Sequence, residues 1–421
     1  MGNSQWESFP INELCIFAID CVNKTAPIVD YETPYKMIRT TNVKDGFIDT
    51  ESVRYVTEET FKKWTRRSKP QYGDVILTRE APVGSVGRFT TDDKNIFLGQ
   101  RLFHYRPDPE KLDWNYLSYV LQSEALQGWL NGIAFGATVP HITVADAEII
   151  KIPTPPIDIQ KKIGKILSNY DDLIENNLKQ IKLLEEKARL TYEEWFLRFR
   201  IDGQKLDIVK DTGLPFGWKR VDFNQYIDFL EGPGLRNWQY QDEGIPFLNI
   251  RILGDNDLST KKIENYLDEK EVEKKYKHFL LHEYDHVISV SGTLGRVVTI
   301  RKNHLPMCLN TSIIRMRTKD KNIMSKWYIK ATINHSSFKD LMLTYASGSA
   351  QLNFGPKHLN QMNILLPDQD TMNNFHNILE PIELNILNLL DQNNLLKESR
   401  DILLPRLMTG MIDVENMDIE V

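Results

Sequence analysis

Two glycine turns that end in arginine, GSVGRF at 84–89 and GTLGRV at 292–297, are the residues best suited to chemistry. Their glycines permit a tight turn, which can bring backbone amides and an arginine against a phosphate or a guanine edge. A hairpin whose glycines are purely conformational is the alternative. Basic residues interleaved with an aromatic precede each turn, as KKWTRRSK at 62–69 and KKYKHF at 274–279. Five basic groups in the first of these suit phosphate contacts, or equally a solvated helix face. Arginine is the commonest reader of guanine, Gln and Asn suit adenine, and Ser or Thr suits either. Candidate DNA-binding residues around the turns are therefore Arg39, Thr78, Arg79, Ser85, Arg88, Gln100 and Arg101 in the first half. Arg251, Ser291, Thr293, Arg296, Asn310 and Thr311 take the same part in the second.

Catalytic patterns are missing. The sequence has no Walker A, GxGxxG, HExxH or GxSxG pattern. TPPI at 154–157 lacks the Asn or Asp and the aromatic residue that hold and stack a flipped adenine, so it reads as a stop before a helix. The triplets Glu185–Lys187 and Glu273–Lys275 resemble a nuclease ExK but are frequent in solvated helices. Cys15, Cys21 and Cys308 have no CxxC spacing and the nine histidines no ligand spacing, so no metal is expected and the thiols read as buried. A stand-alone DNA methyltransferase or nuclease is the enzyme alternative, and it lacks a cofactor or metal motif. A coiled-coil scaffold that does not touch DNA is the other, and it leaves the paired Arg and Gly turns without a purpose.

The elements that must position these residues come in duplicate. One offset, 212 residues, recurs along the 421-residue chain: Trp6 matches Trp218, Pro34 matches Pro246, Ile38 and Arg39 match Ile250 and Arg251, and Gly136 matches Gly348. Each half opens with about 150 residues rich in Val, Ile, Thr, Phe and Tyr, broken by Gly, Pro, Asn and Asp, with interspersed helical stretches such as WNYLSYVLQSEALQGWL. That composition predicts an α+β domain. Each half then closes with a heptad seam. Ile163, Leu167, Ile174, Asn177, Ile181 and Leu184 carry the first seam, and Phe375, Leu379, Ile386, Asn393 and Leu396 the second. Asp158 and Asp370 are the expected caps, and Pro405 is expected to kink or end the second helix early. A helix of about 40 residues is roughly 60 Å long, too long to hide in one domain. Its simplest partner is the other copy, laid antiparallel about an internal pseudo-twofold, with Asn177 and Asn393 fixing register. Packing of each helix on its own domain is the alternative. The segments are then 1–156, first α+β domain; 157–203, central helix; 204–366, second α+β domain; and 367–421, distal helix and acidic tail.

Hydrophobic residues at 41% and charged residues at 26% exclude wholesale disorder, and no stretch approaches 18 uncharged apolar residues, so a membrane span is not expected. The start MGNSQWESFP lacks a secretory pattern, which points to the cytoplasm. Net charge is −6, with 3 basic against 11 acidic residues from 366 onward, which argues against a simple basic nucleic-acid coat.

Taken together, the half-repeat, PTPPIDIQKKIGKIL before the central helix, WFLRFRIDGQKLD through GLPFGW, and the ending LLPRLMTGMIDV resemble the DNA specificity subunits of type I restriction-modification systems over nearly the whole chain. The resemblance implies two target recognition domains on an antiparallel coiled-coil spacer, each reading one half of a bipartite, asymmetric double-stranded DNA site. Two such readers predict half-site centres about 34–36 Å apart, one helical turn. It also implies a non-catalytic chain without a cofactor of its own, in a bacterial or archaeal cytoplasm. Two modification (methyltransferase) subunits supply S-adenosylmethionine and methylate adenine N6, and restriction (motor/nuclease) subunits translocate and cut. Modest net charge makes DNA affinity depend on those partners, so the isolated chain is expected to bind DNA weakly and to be poorly soluble.

Overall fold

The computed structural model describes residues 6–136, 138–254, 256–346 and 354–419, so the match of Gly136 with Gly348 lies outside the described residues. The chain divides into two compact units: unit 1 is Met1–Asn176 with Asn393–Val421, and unit 2 is Asn177–Gln392.

In unit 1 a four-stranded antiparallel sheet has the order Cys15–Asp20, Leu102–Pro107, Val75–Arg79, Val83–Arg88. Ile96–Leu98 pairs in parallel with Lys36–Ile38, which also pairs with Arg54–Tyr55, and Ser8–Pro10 pairs with Lys151–Pro153. Helices Trp114–Gln122 and Glu124–Ile133 cover the sheet, the first capped by Asp113, which accepts from the Tyr116 amide at 2.8 Å. Such a cap is worth about 1 kcal/mol.

Unit 2 repeats this topology strand for strand. Its sheet order is Ile227–Glu231, Ile313–Thr318, His286–Ser289, Val297–Thr299. Ile245–Leu248 pairs in parallel with Cys308–Leu309, and Lys219–Asp222 pairs with Asn363–Leu366. Helices Lys326–Asn334 and Ser336–Tyr345 follow, the first capped by Ser325.

Buried polar groups repeat too. Arg106 grips Asp74 through two bonds of 2.8 Å, and Arg317 grips Asp285 through bonds of 2.8 and 2.7 Å. The Tyr116 hydroxyl donates to the Pro153 carbonyl and the Tyr328 hydroxyl to that of Leu365. These four-stranded sheets correspond at an offset of 211, the edge pairs at 212, and the strands Lys36–Ile38 and Ile245–Leu248 at 210, so short loop-length changes shift the register inside the domains.

A central helix runs Ile157–Tyr192 and ends in a π turn at Glu193–Leu197, short of the expected 203. It stops because Asp202 and Gly203, both at positive φ, make the two-residue turn of a hairpin that pairs Arg200–Ile201 with Gln204–Lys205. The distal helix runs Gln369–Met408. Asp368, not Asp370, caps it by accepting from the Thr371 amide at 2.9 Å, and Asp158 lies inside the first turn of the central helix, where its charge suits the helix dipole. Pro405 does not end the helix early: the helix continues through it to Met408.

Within each unit the helix segments run antiparallel. Lys162 reaches the carbonyls of Val414, Glu415 and Met417 while Asp171 meets Arg400; in unit 2 Trp195 meets Phe375, and Glu185 lies near Glu383. Each helix packs on both domains in turn, which is neither the simple pairing with the other copy alone nor the packing of each helix on its own domain alone. Ile163, Leu167 and Leu407 share a core with Phe103, Tyr116 and Leu117, and Ile181, Phe375, Leu379 and Ile386 share one with Trp218, Tyr328 and Met316. Ile174, Asn177 and Asn393 are buried, and Leu184 and Leu396 half-buried. Cys21 and Cys308 are buried and Cys15 half-buried, and burial pushes the Cys15 and Cys308 thiols up to about 12.

Candidate nucleic-acid interface

Unit 1 gathers several loops at one end of its sheets, and unit 2 repeats part of the arrangement. In unit 1 the Arg79 amide donates to the Arg101 carbonyl at 2.9 Å, the Ile142 amide to the Arg79 carbonyl at 3.1 Å, and the Gly99 amide to the Ile38 carbonyl at 2.8 Å. Those bonds bring the ends of three strands against the segment Phe135–His141. Unit 2 repeats two of them, Val290 amide to Ser312 carbonyl and Phe354 amide to Val290 carbonyl.

The glycine turn beside this junction is locked by a hydroxyl. Thr78 Oγ1 donates to the Pro82 carbonyl at 2.5 Å and accepts from the Ser85 amide at 2.9 Å. In unit 2 Ser289 Oγ donates to the Thr293 carbonyl at 2.5 Å and accepts from the Arg296 amide at 2.9 Å. Gly84 at φ +85° and Gly295 at φ +81° hold the same left-handed position. The turns therefore correspond by 211 residues, not by the 208 that the lettering of GSVGRF and GTLGRV suggests. Arg296 answers Ser85, and Arg88 answers Thr299.

That register corrects several expected positions. Arg88 does not face a ligand: it is 4% exposed, donates to Asn115 and Asp171 at 2.9 Å each, and lies under the rings of Phe47, Trp114 and Tyr119. Its charge is stabilised by a buried acid 83 positions along the chain. Thr78 is fully buried, its hydroxyl used in the turn. Arg251 is exposed beside Glu264 but is not the counterpart of Arg39; the parallel strands put Asn249 there.

Arg79, Gln100 and Arg101 do come together. Arg79 Nη1 donates to the Ile142 carbonyl, Arg101 pairs with Glu80 at 3.1 Å, and Gln100 accepts from Thr25 at 3.2 Å. Ser85 and Arg39 are half-buried, with the Nε atoms of Arg39 and Arg79 buried and unbonded among the described residues. A cleft of about 510 Å³ opens here, lined by Asn23, Arg79, Glu80, Gly136, Thr138, Val139 and His141. In unit 2 Thr293 and Thr311 are exposed and Ser291 half-buried, Asn310 folds onto Ser312, and Arg296 donates to the Leu253 carbonyl.

Glu80, His141, Asn23 and Phe135 were not among the expected residues. The sequence signal was present, since Glu80 follows Arg79 and FGATVPHI recurs in the repeat, but only the fold joins them.

The basic stretches are largely self-satisfied. Lys62 pairs with Glu58 and Arg67 with Asp20, while Lys63 and Lys69 lie over Trp64 and Phe61. Lys275 pairs with Glu271, and Lys277 with Glu273, as on a solvated face. Glu185 departs from that reading: it is half-buried, and burial raises its carboxyl.

Ser68, His104 and Asp74 lie in a row at 2.9 and 2.6 Å, but this is no hydrolase relay. His104 and Asp74 are buried, and Arg106 and the Gln71 amide also hold the carboxylate. Burial lowers the His104 pKa despite the carboxylate beside it. Among the described residues no group of His, Cys, Asp or Glu could hold a metal, and no helix is long and apolar enough to cross a membrane.

The architecture is a duplicated α+β domain, each copy packed on segments of the two long helices and presenting loops at one end of its sheets. Residues 3–186 match the type I restriction modification DNA specificity domain. It is 26% identical over 372 residues to the type I restriction enzyme MjaIX specificity subunit of Methanocaldococcus jannaschii, covering 86% of this chain and 83% of that one. The MjaVIII specificity subunit of the same organism is 23% identical over 386 residues, covering 89% and 88%. The crystal structure of the type I system S subunit from M. genitalium shares the fold at a TM-score of 0.56 and 18% identity, covering 96% of each chain.

Proposed function

We propose that the chain is the sequence-reading subunit of a type I restriction-modification complex, each unit reading one half of a bipartite, asymmetric DNA site. The observation that carries this is a shared frame with different side chains. Positions that correspond in strand register hold Arg79 and Val290, Glu80 and Ser291, Ser85 and Arg296, Gln100 and Thr311, Arg101 and Ser312. A repeated frame supports two readers, and unlike donors and acceptors on it support two different half-sites.

The chain is non-catalytic. Its partners in this reading are double-stranded DNA, two modification subunits and the restriction subunits, in the cytoplasm. S-adenosylmethionine would sit on the modification subunits, which transfer its methyl group to adenine N6. A repeated apolar stripe supports two equivalent docking places: Leu183 and Leu190 are exposed in unit 2, and Leu395 and Ile402, their counterparts 212 residues on, in unit 1.

Single-molecule sequencing for N6-methyladenine in a host expressing the chain with its modification partner tests this. A split motif that disappears when the chain is deleted is the expected result, and replacing 204–366 with another domain of this kind should change one half-site and leave the other. Methylation unaltered by the deletion overturns the reading.

A further inference from the structure

We propose that Arg101 reads a guanine in the half-site met by unit 1, with Glu80 positioning its guanidinium; this rests on the DNA-reading role above. Arg101 takes a left-handed backbone, φ +70°, which a side-chain-bearing residue adopts at a cost. The shared frame does not demand it. Ser312 makes the same carbonyl bond to the Val290 amide, and it is not among the described residues at positive φ. The conformation therefore belongs to the arginine's own task.

The left-handed turn leaves the Arg101 side chain 42% exposed while Nε meets Glu80 at 3.1 Å, and Glu80 lines the open cleft. That ion pair engages Nε, the inner nitrogen of the guanidinium. A guanidinium held at Nε with its outer edge open is preorganised to donate twice to guanine O6 and N7. Gly136, at φ +115°, allows the cleft wall to close in, since a Cβ there would stand 2.6 Å from the Val139 carbonyl. Beside it Phe135, half exposed, packs on His141 with ring centroids 4.1 Å apart, which gives the cleft an apolar flank. At the corresponding places unit 2 has only Ser291 and Ser312, so this contact serves one half-site alone.

The test uses the full chain in complex with its modification subunit, assayed by methylation motif and by binding to duplexes varied at each position. Arg101→Gly removes the side chain at a backbone position glycine prefers, so the fold is retained, and Arg101→Lys keeps the charge but loses the fork. Both should keep the split motif and the other half-site while one guanine position becomes degenerate, its preference falling roughly 5- to 150-fold. Glu80→Gln should weaken the same preference by less. The proposal is overturned if Arg101→Gly keeps every base preference, or if Arg101→Gly weakens all sequences equally with a shallower salt dependence while Arg101→Lys does not, the mark of a phosphate contact. A new preference at another position in Glu80→Gln would make Glu80 a reader and overturn its positioning role. No split motif from the wild-type complex would instead refute the DNA-reading role, and this assignment with it.

Discussion

Asp171 is the most informative single position in unit 1. Its carboxylate is fully buried and accepts from Arg88 at 2.9 Å, Tyr119 at 2.5 Å and Arg400 at 2.6 Å, so one side chain of the central helix joins a domain strand, a domain helix and the distal helix. Burial disfavours the Arg400 charge, yet the pairing with Asp171 outweighs it and raises the Arg400 pKa. Asp171→Ala would leave Arg88, 4% exposed, without its acid and Arg400, 12% exposed, with only the exposed Asp401. Breaking a buried pair in this way costs about 3–5 kcal/mol. For a unit of about 200 residues, at roughly 2–4 °C per kcal/mol, the melting temperature should fall by about 6–20 °C. Asp171→Asn keeps an acceptor and should lose roughly half as much, about 1.5–2.5 kcal/mol. Replacing Asp171, Arg88 and Arg400 together with apolar residues should recover most of the loss. Calorimetry gives the size, and hydrogen exchange should place the opening at Val83–Arg88. A shift under about 2 °C for Asp171→Ala, against the 6–20 °C expected for a buried pair, would refute the claim that the cluster anchors the domain.

Two further outcomes follow from the repeated elements. Thr78→Val should cost about 1–3 kcal/mol in denaturant unfolding, because it strands the Pro82 carbonyl and the Ser85 amide, and Thr78→Ser, the residue type used at 289, should restore it. His286 is fully buried between Thr299 and the Lys326 carbonyl, and burial, with the Lys330 charge second, lowers its pKa to about 3. The unfolded chain, with an ordinary value near 6.5, binds the proton first, so unit 2 should lose up to about 1.4 kcal/mol per pH unit as pH falls from 6.5 toward 3. His286→Asn should flatten that slope, and an unchanged slope in urea melts across this range would count against the assignment.

Much of the architecture was legible because repetition is a property of spacing. The 212-residue offset, the seams at Ile163–Leu184 and Phe375–Leu396, and the α+β grammar of each half all survive small loop changes. The site was less legible because it depends on register. G-x-x-G-R aligns by its letters at an offset of 208, whereas the hydroxyl lock counts residues from Thr78 and Ser289 and gives 211. Arg88 and Arg296 then exchange meaning: one is a buried anchor and the other lies at the turn. Burial of Arg88 could not be read locally, since Asp171 is on another element. Arg79, Gln100 and Arg101 were expected and do meet, but Glu80 and His141 enter the group only through strand ends brought together by backbone hydrogen bonds.

The division of the chain also sets an order of assembly during synthesis. Unit 2 is one continuous stretch, whereas the core of unit 1 includes Leu407 and Val414, and Lys162 is satisfied by carbonyls of Val414, Glu415 and Met417. A ribosome moving at about 5–20 residues per second therefore takes on the order of 10–50 s between releasing residue 162 and releasing the segment that completes its surroundings. Throughout that interval the first domain made is the last to be finished, its apolar seam open to chaperones and proteases. A premature stop near residue 400 would thus injure the domain at the far end of the gene and leave the adjacent one whole.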